Sequence, residues 1–249
     1  MYIRLISLIT FASLTHILQA QTSPDTSSRA TYFLEQHALL TPKGQLVYNN
    51  YYVLANSFTY HITERLKVSA GVLITGQNPP VYGTIQYSVQ IGQNMYVGAN
   101  LGYYQLDYDK PKSSYLVVPQ LLLTKGNSQI NTTFSGGVTR GRFLFGVGGF
   151  FSQTRVNLPS RVNLILSLSH RRPLTRELSF ITQNVYVSAQ APVGSRYSEL
   201  LMLSAGLGWH LQRNTLKAGL GTVLFLKGNE GSSSAVLPFV GYSYLLRQR

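Results

Sequence analysis

Histidine and serine are the residues of this sequence whose types could support hydrolytic chemistry. A lipid-acting hydrolase needs a serine nucleophile, a histidine base and a polar group that orients the histidine, all within hydrogen-bond reach. The candidate bases are His61, His170 and His210, and the hydroxyls nearest to His170 in the sequence are Ser167 and Ser169. In an extended strand His170 projects to the opposite face from both serines, because successive side chains alternate. The side chain of His170 therefore cannot contact Ser167 or Ser169 within the strand, and we predict no catalytic residues.

Metal ligation has little support in the residue types. The sequence contains no cysteine, and its histidines do not recur at the short spacings that are typical of metal ligands. Asp107 and Asp109 form a close acidic pair, but Lys110 and Lys112 lie beside them, which favours a solvated loop over a calcium site. We therefore predict neither a metal nor a cofactor.

The N-terminus has the pattern of a secretory signal peptide. Arg4 supplies a basic start, an apolar stretch runs from Leu5 to Leu18, and Ala20 is a small residue at the expected cleavage point. The apolar stretch is shorter than the roughly 20 residues of a spanning helix. We predict a signal peptide over residues 1–20, a polar lead-in over 21–30 and a single domain over 31–249.

Alternating segments of 10–13 residues, separated by turns, dominate the rest of the chain. In the segment from Tyr82 to Ile91, the odd-numbered residues from Ile85 onward are apolar, whereas Gln86 and Ser88 fall on the other face. Charged residues are only 12% of the sequence, against roughly a quarter in soluble domains. A soluble lipocalin-like barrel would need a charged exterior. A small, mostly uncharged polar face instead suits the lumen of an all-β, antiparallel up-and-down transmembrane β-barrel in the outer membrane of a Gram-negative bacterium.

The pattern predicts twelve strands by two alternative partitions, and ten would remain if two weak segments lay outside the membrane. The first partition is 51–62, 65–75, 82–91, 94–105, 114–124, 127–138, 141–151, 161–171, 177–189, 199–211, 214–226 and 236–247. The second adds a strand near Thr31 to Ala38 and fuses 127–151 into one bulged strand. Aromatic residues near strand ends suit an interfacial girdle, and the candidates are Tyr52, Tyr60, Tyr103, Trp209, Tyr242 and Tyr244.

Basic residues outnumber acidic ones, with 21 Lys and Arg against 8 Asp and Glu. Nucleic-acid binding is the usual interpretation of such an excess, but the charges are scattered and the chain carries an export signal, so we expect no nucleic acid. Basic rims could instead favour anions in a pore, for which the pore-lining candidates are Arg65, Lys67, Gln86, Ser88, Asn100, Arg142, Arg161 and Lys217. Alternatively, turn residues would contact lipid phosphates, and these residues are Arg140, Arg172, Arg176 and Arg213.

One stretch carries a recognisable family pattern. It consists of Pro42-Lys43-Gly44, Tyr48-Asn49-Asn50-Tyr51, Asn56, Tyr60-His61-Ile62-Thr63-Glu64-Arg65-Leu66, Val68 and Gly71. This stretch resembles uncharacterised outer-membrane β-barrel proteins of the Bacteroidota. The resemblance implies residence in the outer membrane, and the family has no agreed activity or catalytic residues that could be carried over.

Three functions remain compatible with these features. The first is a small passive pore for small polar or anionic solutes, which the polar inner face and basic rims favour. The second is a non-conducting structural or adhesion barrel with an unidentified envelope protein partner, and the third is a lipid-modifying enzyme. In each case we expect contact with outer-membrane lipid, including lipopolysaccharide phosphates, and assembly by the barrel assembly machinery.

Overall fold

The computed structural model describes residues 37–51, 55–73, 80–105, 115–141, 143–147, 154–158, 163–188, 199–211, 213–226 and 233–247. The first seven strands are β1 (Leu46–Tyr51), β2 (Ala55–His61), β3 (Leu66–Leu73), β4 (Val81–Gly92), β5 (Met95–Gln105), β6 (Tyr115–Gly126) and β7 (Asn131–Gly141). The others are β8 (Phe143–Val147), β9 (Thr154–Leu158), β10 (Asn163–Pro173), β11 (Leu178–Ser188), β12 (Glu199–Leu211), β13 (Asn214–Leu226) and β14 (Ser233–Arg247). Within these described ranges, no helix has the length and apolar character needed to cross a membrane.

Twelve of these strands form one closed antiparallel barrel. Each strand pairs with its neighbour in the chain, except that β7 pairs with β10 and β1 closes the circle against β14. The strands β8 and β9 pair only with each other, as a hairpin in the connection between β7 and β10. Closure gives every barrel strand a hydrogen-bonded neighbour on both sides, so the barrel has no edge strand. The predicted twelve-stranded antiparallel barrel is confirmed.

Both predicted partitions differ from the observed strands at two places. Both partitions lack the strand β1 (Leu46–Tyr51), because their strand 51–62 corresponds to β2 (Ala55–His61). In the strand that the second partition adds, residues 37 and 38 lie outside any strand, and 31–36 lie outside the described residues. The adjacent pair Asn49-Asn50 looks like a turn in the sequence. In the barrel, however, Asn50 Nδ2 donates to Asn56 Oδ1 at 2.7 Å, while Asn49 is buried on the other face. The predicted strand at 141–151 is wrong, because residues 143–147 belong to the separate hairpin.

The two faces of the barrel wall differ sharply in chemistry. Large apolar side chains are exposed on the outer face, including Ile85, Leu101, Leu121, Phe134, Leu220, Val236 and Val240. Polar side chains are buried on the inner face, including Gln86, Asn100, Gln120, Thr133, Ser135, Gln183 and Ser204. This inversion of the soluble pattern is the arrangement that lipid demands of a transmembrane barrel.

The two ends of the barrel also differ. The connections 62–65, 93–94, 127–130, 174–177 and 212–213 lie at the same end, which we name the short-turn end. Residue 45, which precedes β1, lies there too: Gln45 O accepts a hydrogen bond from His61 N at the end of β2. The connections at the opposite end span 52–54, 74–80, 106–114, 142–162, 189–198 and 227–232. Bacterial barrels place their short turns on the periplasmic side.

Candidate functional site

Amide and hydroxyl side chains line the middle of the inner face. The predicted pore-lining residues Gln86, Ser88 and Asn100 are all buried there. Gln86 Nε2 donates to Ser88 Oγ at 2.9 Å, and Asn100 Nδ2 donates to Gln120 Oε1 at 3.1 Å. The strands therefore place neutral polar groups side by side around the lumen, where they satisfy one another.

Basic side chains collect on the inner face close to the short-turn end. Lys217 is 0% exposed and Arg171 is 3% exposed, while Lys67 is half-buried and pairs across the strands with the inward-facing His61 and Gln86. These three residues belong to β13, β10 and β3, which lie on different sides of the barrel. We name the set Lys67, Arg171 and Lys217 the basic cluster.

Polar and aromatic groups hold two members of the basic cluster in place. Arg171 Nη1 donates to Ser128 O at 3.0 Å, and its Nη2 contacts His210 Nε2 at 2.9 Å. The Lys217 ammonium lies 5.4 Å from the centroid of the Tyr51 ring, within the range of a cation–π interaction. The positive charges are thus held inside the barrel rather than on its outer surface.

The contacts of His210 define its tautomer. A guanidinium can only donate, so Nε2 of His210 must accept from Arg171. The proton then lies on Nδ1, which contacts Thr215 Oγ1 at 3.2 Å. Ser179 Oγ lies 2.8 Å from the same Nε2. His210 is therefore neutral and acts as a hydrogen-bond acceptor within the barrel.

Ser179 and His210 have the separation of a nucleophile and its base. Both side chains are enclosed in the barrel wall, however, at 1% and 3% exposure. Arg171 also occupies the ring nitrogen that would have to accept the serine proton. The sequence did not suggest this pair because the two residues are 31 positions apart and meet only through the pairing of β11 with β12.

The predicted candidates for hydrolytic chemistry lie on different faces. His170 is on the outer face, where its Nδ1 contacts Thr132 Oγ1 at 2.9 Å, whereas Ser167 and Ser169 are buried inside. Within the described ranges, no three His, Cys, Asp or Glu side chains come close enough to hold a metal ion.

A segment outside the strands enters the barrel. Residues 37–45, which we name the inner segment, precede β1, and their His37, Ala38, Leu39 and Thr41 are buried. Gln86 Nε2 donates to His37 O at 2.8 Å, and Ala38 N donates to Thr124 Oγ1 at 2.8 Å. The inner segment therefore contacts β4 and β6 from within the lumen, which the strand pattern could not predict.

The electrostatic surroundings of His37 show how far the inner segment reaches. Burial holds the pKa of His37 well below its ordinary value of 6.5. Nearby basic groups lower this pKa further, first Lys67 and then His61, Arg171 and Lys217. These groups belong to β3, β2, β10 and β13, so the positive charges that lower the pKa of His37 come from different sides of the barrel. His37 is neutral at pH 7.

The remaining predicted residues fall into three groups. Arg65 lies exposed in the turn between β2 and β3, rather than on the inner wall, and Arg142, Arg161 and Tyr52 lie outside the described residues. Four predicted interfacial aromatics are exposed on the outer face, namely Tyr60, Tyr103, Trp209 and Tyr242. Tyr244 is half-buried in the same outward row as Tyr242.

Among known proteins, the likeness of the chain is one of structure. No protein-family model matches the sequence, and no curated protein matches it. The NanC porin superposes with a TM-score of 0.52 at 11% identity, over 80% of this chain and 98% of that one. Pseudomonas aeruginosa OccK5 (OpdH) superposes with a TM-score of 0.45 at 12% identity, over 80% of this chain and 62% of that one. At this identity, the likeness to the NanC porin establishes the porin-like barrel fold.

Proposed function

We propose that this chain is an outer-membrane β-barrel that acts as a passive pore for small polar or anionic solutes. The observation that carries the proposal is the inner face, where buried amide and hydroxyl groups such as Gln86, Asn100 and Gln120 surround the lumen. Such a face offers hydrogen-bonding groups to a hydrated solute when the lumen is open, and it cannot pack as an apolar core. A twelve-stranded barrel also has an intermediate diameter, between small barrels filled by side chains and wide porins.

The outer face supports residence in a membrane. Its exposed apolar side chains form a continuous band, and aromatic residues lie near both ends of the strands, with Trp209 and Tyr242 close to the short turns and Tyr103 at the opposite end. Aromatic girdles of this kind lie at the two interfaces of a bilayer. The sequence resemblance to outer-membrane barrels of the Bacteroidota points to the same membrane.

Exposed arginines at the short-turn end supply a second contact with the membrane. Arg172, Arg176 and Arg213 are all exposed there. A guanidinium binds phosphate oxygens in bidentate geometry, so we propose that these residues bind the phosphate groups of the adjacent lipid leaflet.

The basic cluster favours anions over cations. Lys67, Arg171 and Lys217 place positive charge on three sides of the lumen. Inside a barrel, water screens such charges less than at an open surface, so they raise the local concentration of anions. The acidic residues of the described ranges lie in turns or at a strand end: Glu64 and Glu177 are exposed in turns, and Glu199 lies at the start of β12.

A non-conducting structural barrel is the second candidate. It is favoured by the apolar contact of Ile181 with Phe239 inside the barrel, against which Met202 packs. Side chains that fill a lumen in this way would stabilise the wall and exclude water. The two candidates differ in one measurable property, which is ion conductance.

The test is single-channel conductance of refolded protein in a planar bilayer, with folding verified by heat-modifiable gel mobility. The pore proposal predicts channel openings and a reversal potential of anionic sign under a salt gradient. Lys67→Gln is expected to reduce this anion preference, whereas the matched control Arg176→Gln in an exposed turn leaves it unchanged. A folded barrel that is silent both as the wild-type protein and after displacement of the inner segment would overturn the pore and favour the structural barrel.

A further inference from the structure

The inner segment lies inside the barrel at the short-turn end, against the wall formed by β2 to β6. At its C-terminal side, Gly44 N donates to His61 O at 2.8 Å, and Thr41 N donates to Glu64 O at 3.3 Å. At its N-terminal side, Ala38 and His37 bond to Thr124 and Gln86. The segment therefore runs from β2 and the following turn to the inner faces of β4 and β6.

We propose that residues 37–41 form a plug that closes the short-turn end of the barrel, so that solutes pass only when these residues leave the lumen. The proposal rests on the pore function above and adds the part of the chain that controls it. The buried residues His37, Ala38, Leu39 and Thr41 are the body of the plug.

The close packing of Ala38 against β5 shows that the barrel wall has a site that accommodates the plug. A Cβ atom built on Gly98 of β5 would lie 3.0 Å from Ser88 Oγ of the wall and 3.2 Å from Ala38 Cβ. The distance to Ala38 is shorter than ordinary contacts between carbon atoms. Glycine at position 98 thus leaves the room in which Ala38 lies, and a larger residue at either position would push the plug away from β5.

The barrel wall does not depend on the plug. All twelve barrel strands pair with one another, from β1 through β14 and back, and residues 37–45 contribute no strand to this circle. The hydrogen bonds that residues 37–41 make involve side chains of the wall or the turn carbonyl Glu64 O, whereas the backbone ladder to His61 of β2 is made by Gly44 and Gln45, which lie outside the plug. The plug can therefore leave without breaking the closure of the barrel, which is the property that a gate requires.

A disulfide between positions 38 and 98 tests the plug directly. The natural chain has no cysteine, so Ala38→Cys with Gly98→Cys introduces a single pair whose Cβ atoms are close to disulfide distance. Single-channel recordings of the oxidised and reduced forms compare the same protein with the plug fixed and free. The two single-cysteine variants control for the substitutions themselves.

A second pair of variants works without cross-linking, should the cysteine variants not fold. Ala38→Arg adds bulk against Gly98 and a positive charge next to His37, whose pKa the basic cluster already lowers, and is expected to displace the plug. Ala38→Ser keeps the size and neutrality of the residue and is the matched control. Both are recorded in the same bilayer after folding has been verified by gel mobility.

The outcomes separate the plug from the pore. Loss of openings on oxidation, their return on reduction, and more frequent openings in Ala38→Arg than in Ala38→Ser would support the plug. Equal conductance of the oxidised and reduced forms, with the disulfide verified, would overturn the plug while the pore function stands. Failure of the disulfide to form in a folded barrel would overturn the placement of Ala38 against Gly98. Silence of both the reduced form and Ala38→Arg would overturn the pore function and the gate with it.

Discussion

The outer and inner faces of the barrel place the same residue type in opposite environments. Leu121 and Leu122 are neighbours in β6, yet Leu121 is 66% exposed on the outer face and Leu122 is 1% exposed on the inner face. The outer leucine belongs to a band of apolar side chains, whereas Gln120 and Thr124 flank the inner one on its own face. Burial of a side chain within this protein therefore does not measure its hydrophobicity, because the solvent of the outer face is lipid.

The inner face is stable because its polar groups bind one another. Thr124 Oγ1 lies 2.8 Å from Thr133 Oγ1, and Ser135 Oγ lies 2.7 Å from Ser167 Oγ. Each pair joins adjacent strands, so the hydrogen bonds run across the wall as a ladder of side chains. A buried hydroxyl left without a partner would instead be costly. The outer face, which packs against lipid, is mainly apolar, with a few hydrogen bonds such as that between Asn50 and Asn56.

The largest expected effect comes from placing a charge on the outer face. Leu121→Lys in the middle of β6 should lower the free energy of unfolding by about 2–4 kcal/mol, because lysine at the bilayer midplane must leave water for lipid. Gln120→Lys is the matched control, since it adds the same residue one position away on the inner face. Its loss of unfolding free energy should be well below that of Leu121→Lys. The measurement is urea-induced unfolding from lipid vesicles. Equal losses at the two positions would contradict the assignment of the faces.

The next largest effect concerns how closely glycines are packed on the inner and outer faces. On the inner face, a Cβ on Gly206 would lie 2.2 Å from Ala218 O and 2.5 Å from Gly219 Cα of the adjacent strand. Gly83 lies on the outer face, where the nearest atom to an added Cβ would be Ser69 O at 3.7 Å. We expect Gly206→Ala to cost about 1–3 kcal/mol of unfolding free energy.

The matched variant at the outer position should be nearly neutral. Gly83→Ala is expected to change the unfolding free energy by no more than about 0.5 kcal/mol. Both variants can be measured in the same vesicle titration as the lysine variants. A loss from Gly83→Ala as large as that from Gly206→Ala would show that the inner wall is not the more closely packed of the two.

The smallest effect concerns pH and the inner segment. Because the pKa of His37 in the barrel lies below 6.5, its neutral form is favoured when the segment is seated. The equilibrium constant for binding of the inner segment in the lumen is therefore unaffected above about pH 6.5. It falls as the pH is lowered, by at most about tenfold per pH unit for the uptake of one proton. The groups that face His37 are Lys67, His61, Arg171 and Lys217. We expect channel openings to become more frequent between pH 7 and pH 5.

Two variants isolate His37 from the other histidines. His37→Gln should remove most of the pH response, because no proton can then be added at this position. His170→Gln, on the outer face, should leave the response intact, and both variants retain His61 and His210. A pH response unchanged in His37→Gln would assign it to another group.

The faces of the barrel could be predicted from the sequence, and its interior sites could not. Alternation in the segment around Gln86 placed apolar and polar residues correctly, because the twofold repeat of a strand is a local property. The contact of Ser179 with His210 and that of Ala38 with Gly98 depend on strand register and closure. Such contacts cannot be predicted from the spacing of residues along the chain. The β8–β9 hairpin was mistaken for a barrel strand because a hairpin outside the barrel wall follows the same period.

The lipid accessibility of single cysteines along β6 tests most directly whether the polar face lines the lumen and the apolar face contacts lipid. Since the chain has no cysteine, each position from 117 to 124 can be substituted in turn, spin-labelled, and exposed to a lipid-soluble and a water-soluble relaxation agent. We expect a strict alternation, with positions 117, 119, 121 and 123 accessible to the lipid-soluble agent and the intervening positions protected from it. Loss of the alternation, or lipid access at the even-numbered positions instead, would contradict a barrel whose polar face lines the lumen.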